Sequence, residues 1–506
     1  MRRIVDPLAA KRSRLAALAI AAALSGPAAS FAAELDNPWQ TWRGPNGSGA
    51  IESADPPTEW SDTKNVLWKV AVPGKGSASP IVYNDRVYVM TAIKTDRVDP
   101  SKAAAAAEAA KGQEAGGEAG REGGRGPGGP EGRGPGGPGG LGGPGGPGGP
   151  GGGPGGGRGG RRGGGGFGGG GNAPVNYYQF AVLCYSLQSG EQLWQKVLAE
   201  EVPHEAGHNT NSFASASPVT DGRYLVANFG SRGLYTLDMD GSLLWKADLG
   251  EMQTRAGFGE GASPAIHGET LVVPWDHEGG SLVAAFDIRN GSEIWRQSRD
   301  ERTTWSTPLT VLHEGRVQAV LNGTTVRSYD LADGKLIWQC GGQVQNPIPT
   351  PILYGQNVIC MTGFRGAAIA SISLDAQGDV TGGEAVQWTR DDVASYVPSA
   401  ALLRNRLYFL KSNNGILSSV DADTGEVLMQ PTRVPEVETV YSSPVAAADR
   451  VYVTGRDGVT VVVRDSNELE VLATNRIGEP VDSSIAIAGD RLLIRGESHL
   501  FCIGKK

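Results

Sequence analysis

The residues best equipped for chemistry are two histidines four positions apart. His204, Glu205 and His208 lie in PHEAGHNTN at 203–211. This is a literal match to H-E-x-x-H, in which two imidazoles on one helical face hold zinc and the glutamate acts as base. That chemistry needs a stable helix and a third ligand, whereas Pro203 and Gly207 point to a loop. No metal site is expected. His267, His277, His313 and His499 are scattered, and Asp276-His277-Glu278 reads as a solvated hairpin. Spacing yields no Ser-His-Asp arrangement and no phosphate-binding loop, so no catalytic residue is assigned. The four cysteines, Cys184, Cys340, Cys360 and Cys502, form no CxxC or CxxCH, which excludes zinc-ribbon and c-type haem readings. Cys340 and Cys360 are the one plausible disulfide pair, and buried single thiols inside strands are the simpler reading.

Composition narrows the partners. The 506 residues carry 46 Lys and Arg against 54 Asp and Glu, a net charge of −8. Arg2, Arg3, Lys11, Arg12 and Arg14 precede an apolar run from Leu15 to Leu24, and Ser30-Phe31-Ala32 offers a cleavage site. Residues 1–32 therefore read as a signal peptide, too short in its apolar run to span a bilayer. Losing them leaves an acidic, exported protein, periplasmic or extracellular, without a transmembrane span. Such a chain repels phosphate backbones, so nucleic acid is excluded as a partner.

A repeat dominates the rest. SASPIV at 77–82, SASPVT at 215–220, GASPAI at 261–266 and WSTPLT at 305–310 are followed by IPTPIL at 348–353, YVPSA at 396–400 and YSSPVA at 441–446. A degenerate VDSSIAI stands at 481–487. From Pro218 to Pro444 the motif prolines (Pro264, Pro308, Pro351 and Pro398 between) are 43 to 47 residues apart, the length of a four-stranded propeller blade. Each motif precedes a β-rich run such as RVYVMT at 86–91 or RLYFLK at 406–411. A third run ends in a glycine turn, and a large side chain follows four residues later: Trp194, Trp245, Trp295 and Trp338, with Met429 in the equivalent place. Trp388 closes a further repeat. These rings are expected to fill the wedges between blades.

The last repeat stops one strand short, at HLFCIG (499–504), and NVLWKVAV at 65–72 supplies the missing strand with Trp68 in the docking position. The expectation is an all-β, eight-bladed propeller over 65–506, closed by an N-terminal strand that removes the open edge. Seven blades is the alternative. Residues 33–64 are expected to pack on the propeller. Residues 94–176, Ala-rich from Ala103 to Ala110 and then Gly/Pro/Arg-rich, are expected to be a disordered insertion between the second and third strands of blade 1, with a short helix at the alanine run.

Ligands of propellers gather where residues just before each innermost strand converge. Those residues include His208, Asn209, Asn211, Glu260, Trp305, Asn346, Tyr396, Tyr441 and Asp482, a polar and aromatic set suited to a sugar or peptide.

The opening S-x-S-P and closing glycine-turn-tryptophan of each repeat resemble the pyrroloquinoline-quinone-like repeat family, over 65–506 apart from the insertion. One branch of that family comprises quinone- and calcium-dependent dehydrogenases of alcohols or sugars. The other is cofactor-free and resembles BamB, a scaffold of outer-membrane barrel assembly. The enzyme branch implies an adjacent-cysteine pair and a carboxylate set for calcium, and neither is found by motif. The resemblance therefore implies a monomeric, non-catalytic envelope scaffold without cofactor, binding a protein partner. A quinone-dependent dehydrogenase is the first alternative and a carbohydrate-binding surface module the second.

Overall fold

The computed structural model describes residues 39–61, 63–118 and 173–506. The expected signal peptide at 1–32, residues 33–38 and the Gly/Pro/Arg tract at 119–172 lie outside the described residues. Eight blades close into a ring. Blade 1 comprises Ile81–Tyr83, Arg86–Val98, Asn176–Ser186 and Gln192–Glu201. From innermost to outermost strand, blade 2 runs from Val219–Thr220 to Leu243–Ala247 and blade 3 from Ala265–His267 to Glu293–Ser298. Blade 4 runs from Leu309–His313 to Leu336–Cys340 and blade 5 from Ile352–Tyr354 to Val386–Arg390. Blade 6 spans Ala401–Leu403 to Val427–Arg433, and blade 7 Val445–Ala447 to Val471–Arg476.

Blade 8 takes three strands from the C-terminus (Ala486–Ala488, Arg491–Arg495, His499–Ile503) and its outermost one, Val66–Ala71, from the other end of the chain. Trp68 pairs opposite Cys502 there. This is the closure expected from the missing strand.

The tryptophans sit where the repeat puts them because of a recurrent irregularity. In the outermost strand the residue before each ring is skipped by the ladder: Leu67, Leu193, Leu244, Ile294, Ile337 and Gln387 have no partner, while the rings that follow do. Such a bulge turns the following side chain. Each ring is thereby delivered into the wedge against the next blade. Trp68 packs on Gly190, Trp194 on Gly241, Trp245 on Gly291, Trp295 on Gly334 and Trp388 on Gly425. The indole N–H groups of Trp68, Trp245, Trp295 and Trp388 then donate to main-chain carbonyls across the wedge, at 2.7 to 3.0 Å. Trp338 differs. Blade 5 has Gln377 at the position of the turn glycine, and the Trp338 N–H turns back to Gln318 Oε1 of its own blade (3.0 Å). Apolar side chains of neighbouring blades mesh in these wedges, which together form the core.

The insertion departs from its expected limits. Arg86–Val98 and Asn176–Ser186 continue as a paired ribbon well beyond the motif, with Lys94 opposite Tyr178 and Val98 opposite Asn176, and Pro100–Glu118 is helical. Residues 94–98 and 176 are thus part of the blade, and the helix covers the expected alanine run and extends beyond it on both sides. Tyr177 with Arg97 over its ring (3.5 Å) and Thr95 Oγ1 donating to Tyr177 O (2.9 Å) hold the ribbon. Low apolar content hid that local pairing.

Candidate functional site

The motif serines do more than open strands. Backbone N–H groups of Ser79, Ser217, Thr350, Ser399, Ser443 and Ser484 donate to the hydroxyls of Ser217, Ser263, Ser399, Ser443, Ser484 and Ser79 respectively, at 2.8 to 3.0 Å. Each link joins one blade to the next, and the last, Ser484 to Ser79, joins the C-terminal blade to the first. The links also correct the alignment of blade 6. Ser399 and Ala400 occupy the Ser-Pro position, so Pro398 lies one residue before the serine that the ring uses.

Residues 39–51 cross the channel on the strand side of this ring. Val82 N–H bonds Trp39 O (2.8 Å), Thr220 N–H bonds Gln40 O (3.2 Å), and Leu402 and Ala446 N–H groups bond Ser48 O and Gly49 O (2.8 and 2.9 Å). Ala50–Ile51 adds a parallel strand to Val445–Ala447. The segment therefore spans from blade 1 to blade 7. Trp42 Nε1 donates to Thr307 Oγ1 (3.1 Å), which makes its ring the floor of the channel. Arg43 is buried beneath, its Nη2 donating to Ala400 O (2.6 Å) and Pro444 O (3.0 Å). Burial pulls its pKa down to about 9, which leaves it cationic at neutral pH.

Between floor and mouth lies a cavity of about 590 Å³. His208, Asn211, Trp305, Asn346, Tyr396, Tyr441 and Asp482 all line it, converging from six connections that are far apart in sequence. Trp305 is fixed by its N–H to Gly259 O (2.7 Å), and Tyr396 lies 4.9 Å from the Phe364 ring. His208 bonds Thr210 Oγ1 through Nδ1 (2.7 Å). Asp482 takes both Nε and Nη2 of Arg456 (2.6 and 3.1 Å), and that guanidinium covers the Tyr441 ring at 4.5 Å.

Two expected residues lie elsewhere. Asn209 is exposed at a turn outside the lining. Glu260 turns away from the channel to accept the Ser231 N–H (2.7 Å) and hydroxyl (2.5 Å), and burial raises its pKa. Its place before an innermost strand was right, but a residue position does not specify the side-chain direction.

The lining also contains Trp42, Arg255, Phe258, Phe364 and Arg365, which the repeat did not single out. Arg255 reaches across the mouth to Asn346 Oδ1 (2.8 Å) and Gln345 Oε1 (3.0 Å). A lone arginine in a blade connection has no sequence signature, and neither does the Trp42-Arg43 pair of the opening segment, which belongs to no repeat.

The H-E-x-x-H match is a loop, not a helix. Both ring nitrogens of His204 are engaged, Nε2 by Met252 O (2.6 Å) and Nδ1 by Arg232 Nη2 (2.8 Å), and Glu205 accepts from Thr254. Among the described residues the cluster of three metal-capable groups is His313, Glu314 and Asp375, far along the sequence from this loop. Asp276 and His277 are buried, not solvated: Asp276 Oδ1 pairs with the fully buried Arg299 (2.8 Å) and Oδ2 accepts from Thr304 (2.7 Å). All four cysteines are buried free thiols, and burial pushes the pKa of Cys184 and Cys502 up to about 12.

The sequence profile of the outer membrane protein assembly factor BamB matches residues 179–431 and again 280–506. The two placements overlap because a repeat aligns in more than one register. Together they cover most of the chain. The protein belongs to the BamB family. No curated protein matches it in sequence. Among solved structures, the quinohemoprotein alcohol dehydrogenase of Comamonas testosteroni superposes with a TM-score of 0.58 at 8% identity, over 94% of this chain and 82% of that one. BamB from Moraxella catarrhalis gives 0.37 at 15% identity (57% and 96%), and the computationally designed Ika8 protein 0.44 at 12% (66% and 97%). The dehydrogenase likeness is one of fold.

The quinone–calcium reading of the fold can be tested against this BamB-family cavity. Calcium takes about six to eight oxygen ligands, with carboxylates prominent. The cavity lining has one carboxylate, Asp482, and both its oxygens are held by Arg456. That donor set does not fit a calcium-bound quinone. No helix among the described residues is long and apolar enough to cross a membrane.

Proposed function

We propose that this protein is a non-catalytic scaffold of the cell envelope that binds a protein partner along the outer rim of blades 1 to 3. The observation that carries the reading is the row of bulged residues, Leu193, Leu244 and Ile294, which are exposed on three consecutive outermost strands. Those strands are sheet edges among the described residues, and an exposed apolar edge is a template for strand addition. The chain uses this mode itself. In blade 4, Gly378–Asp379 pairs in parallel with Trp338 and Gln339, and Ile337 at the equivalent position is buried. Membership of a family described by an outer-membrane assembly factor, the apolar N-terminal run and the acidic charge support an exported scaffold.

Photo-crosslinkers placed at Leu244 and Ile294 should trap one defined envelope protein in cells, while a crosslinker at the exposed Asn209 should not. Titration of the purified protein with pyrroloquinoline quinone and calcium should give no heat and no dye reduction with alcohols or sugars. Stoichiometric quinone binding with turnover, or crosslinking indifferent to position, would overturn the proposal.

A further inference from the structure

The cavity has a use that rim binding leaves untouched, and its chemistry is specific. Ser79, Ser217, Ser263, Ser443 and Ser484 line it, each more than nine-tenths buried. Each hydroxyl accepts one backbone N–H from the neighbouring blade, and its own hydrogen has no acceptor among the described residues. A ring of O–H donors therefore faces the cavity. Such groups require either water or a ligand acceptor.

The charges agree. Arg43 lies under the floor, bonded only to neutral carbonyls, and Arg255 crosses the mouth, bonded only to amide oxygens. The one lining carboxylate, Asp482, is matched by Arg456. A protein of net charge −8 has thus gathered cations around its axis, and a low-dielectric funnel focuses such a field.

Trp42, Trp305, Tyr396 and Tyr441 supply ring surfaces between these donors. The volume falls within the range of about 300–1,000 Å³ typical of small-ligand sites.

We propose that the central cavity is a binding site for a short acidic oligosaccharide, its carboxylate held by Arg255 and its hydroxyls by the serine ring and cavity amides. The abundance of hydroxyl and amide groups favours a polyhydroxylated ligand over a peptide. The site is independent of the rim, so either reading can fail without the other.

The test is calorimetric titration of the purified protein with digalacturonic acid, its dimethyl ester, and a short peptide ending in two acidic residues. The acid should bind with one-to-one stoichiometry, about tenfold or more tightly than the neutral ester, as expected for a hydrogen bond to a charged group. Rising salt should weaken acid binding and leave the ester unchanged. Arg255→Gln, checked for an unchanged melting temperature, should bring the acid down to the affinity of the ester. Equal binding of acid and ester, preference for the peptide, or no binding of either sugar overturns the proposal. The acid–ester comparison needs no variant, so a folding defect in Arg255→Gln does not compromise it.

Discussion

In the wedge between blades 8 and 1, Gly190 has φ of +74°, and a Cβ added there would lie 2.7 Å from Trp68 Cδ2. Two separate requirements meet on one residue: a left-handed backbone and the absence of a side chain against the ring. Gly190→Ala should therefore lose stability twice, by about 1–2 kcal/mol for the backbone and about 1–3 kcal/mol for the overlap. Urea unfolding should show the combined loss in the midpoint with an unchanged slope. Gly268→Ala makes the control. It shares a positive φ of +57° but nothing lies within 4 Å of its added Cβ, so only the backbone cost should appear.

The opening segment is an element without a repeat, and its attachment depends on charge. Asp55 is held by Arg450 and by Lys505, and Arg450 Nη1 also donates to Thr58 Oγ1 (2.8 Å). Trp60 then stacks on Tyr452 at 6.3 Å. The two cations depress the Asp55 pKa below its ordinary value. A depressed carboxylate contributes stability above its unfolded pKa, about 3.9, and loses it as pH falls through the lower folded value. Below pH 4 the segment should progressively lose this anchor. Because Asp55 and Lys505 are largely exposed, Asp55→Asn should cost no more than about 1 kcal/mol at pH 7, and its melting temperature should fall less steeply than that of the parent below pH 4. A variant that tracks the parent across this window would count against the anchor.

Closure of the whole ring depends on two interactions between the ends of the chain, the Val66–Ala71 strand and the Ser484 to Ser79 link. A ring with a missing strand exposes the edge of His499–Ile503 and empties the wedge that Trp68 fills. A chain starting at Pro73 should keep blades 2 to 6 but lose protection in hydrogen exchange over 486–503 first, and it should self-associate through the open edge. Uniform protection across blades would show that closure is not where the cooperativity resides.

Blade number, blade length and the strand that closes the ring were legible in the chain because they rest on spacing. A proline-marked motif recurs in seven of the eight blades, a glycine precedes Trp194, Trp245, Trp295 and Trp338 by four residues, and a strand missing at one end is present at the other. Local rules of turn and strand suffice for these. Seven of the nine residues expected at the funnel line the cavity, since a position before an innermost strand fixes a place in the ring. Side-chain direction was not legible: Glu260 turned to Ser231 and Asp276 inward to Arg299, each following a partner 29 or 23 residues away, while Asn209 faces solvent. The floor made by Trp42, the cation beneath it and the arginine across the mouth belong to the tertiary structure alone. They arise only when segments 90 to 401 residues apart meet at one axis, and no local pattern encodes that meeting.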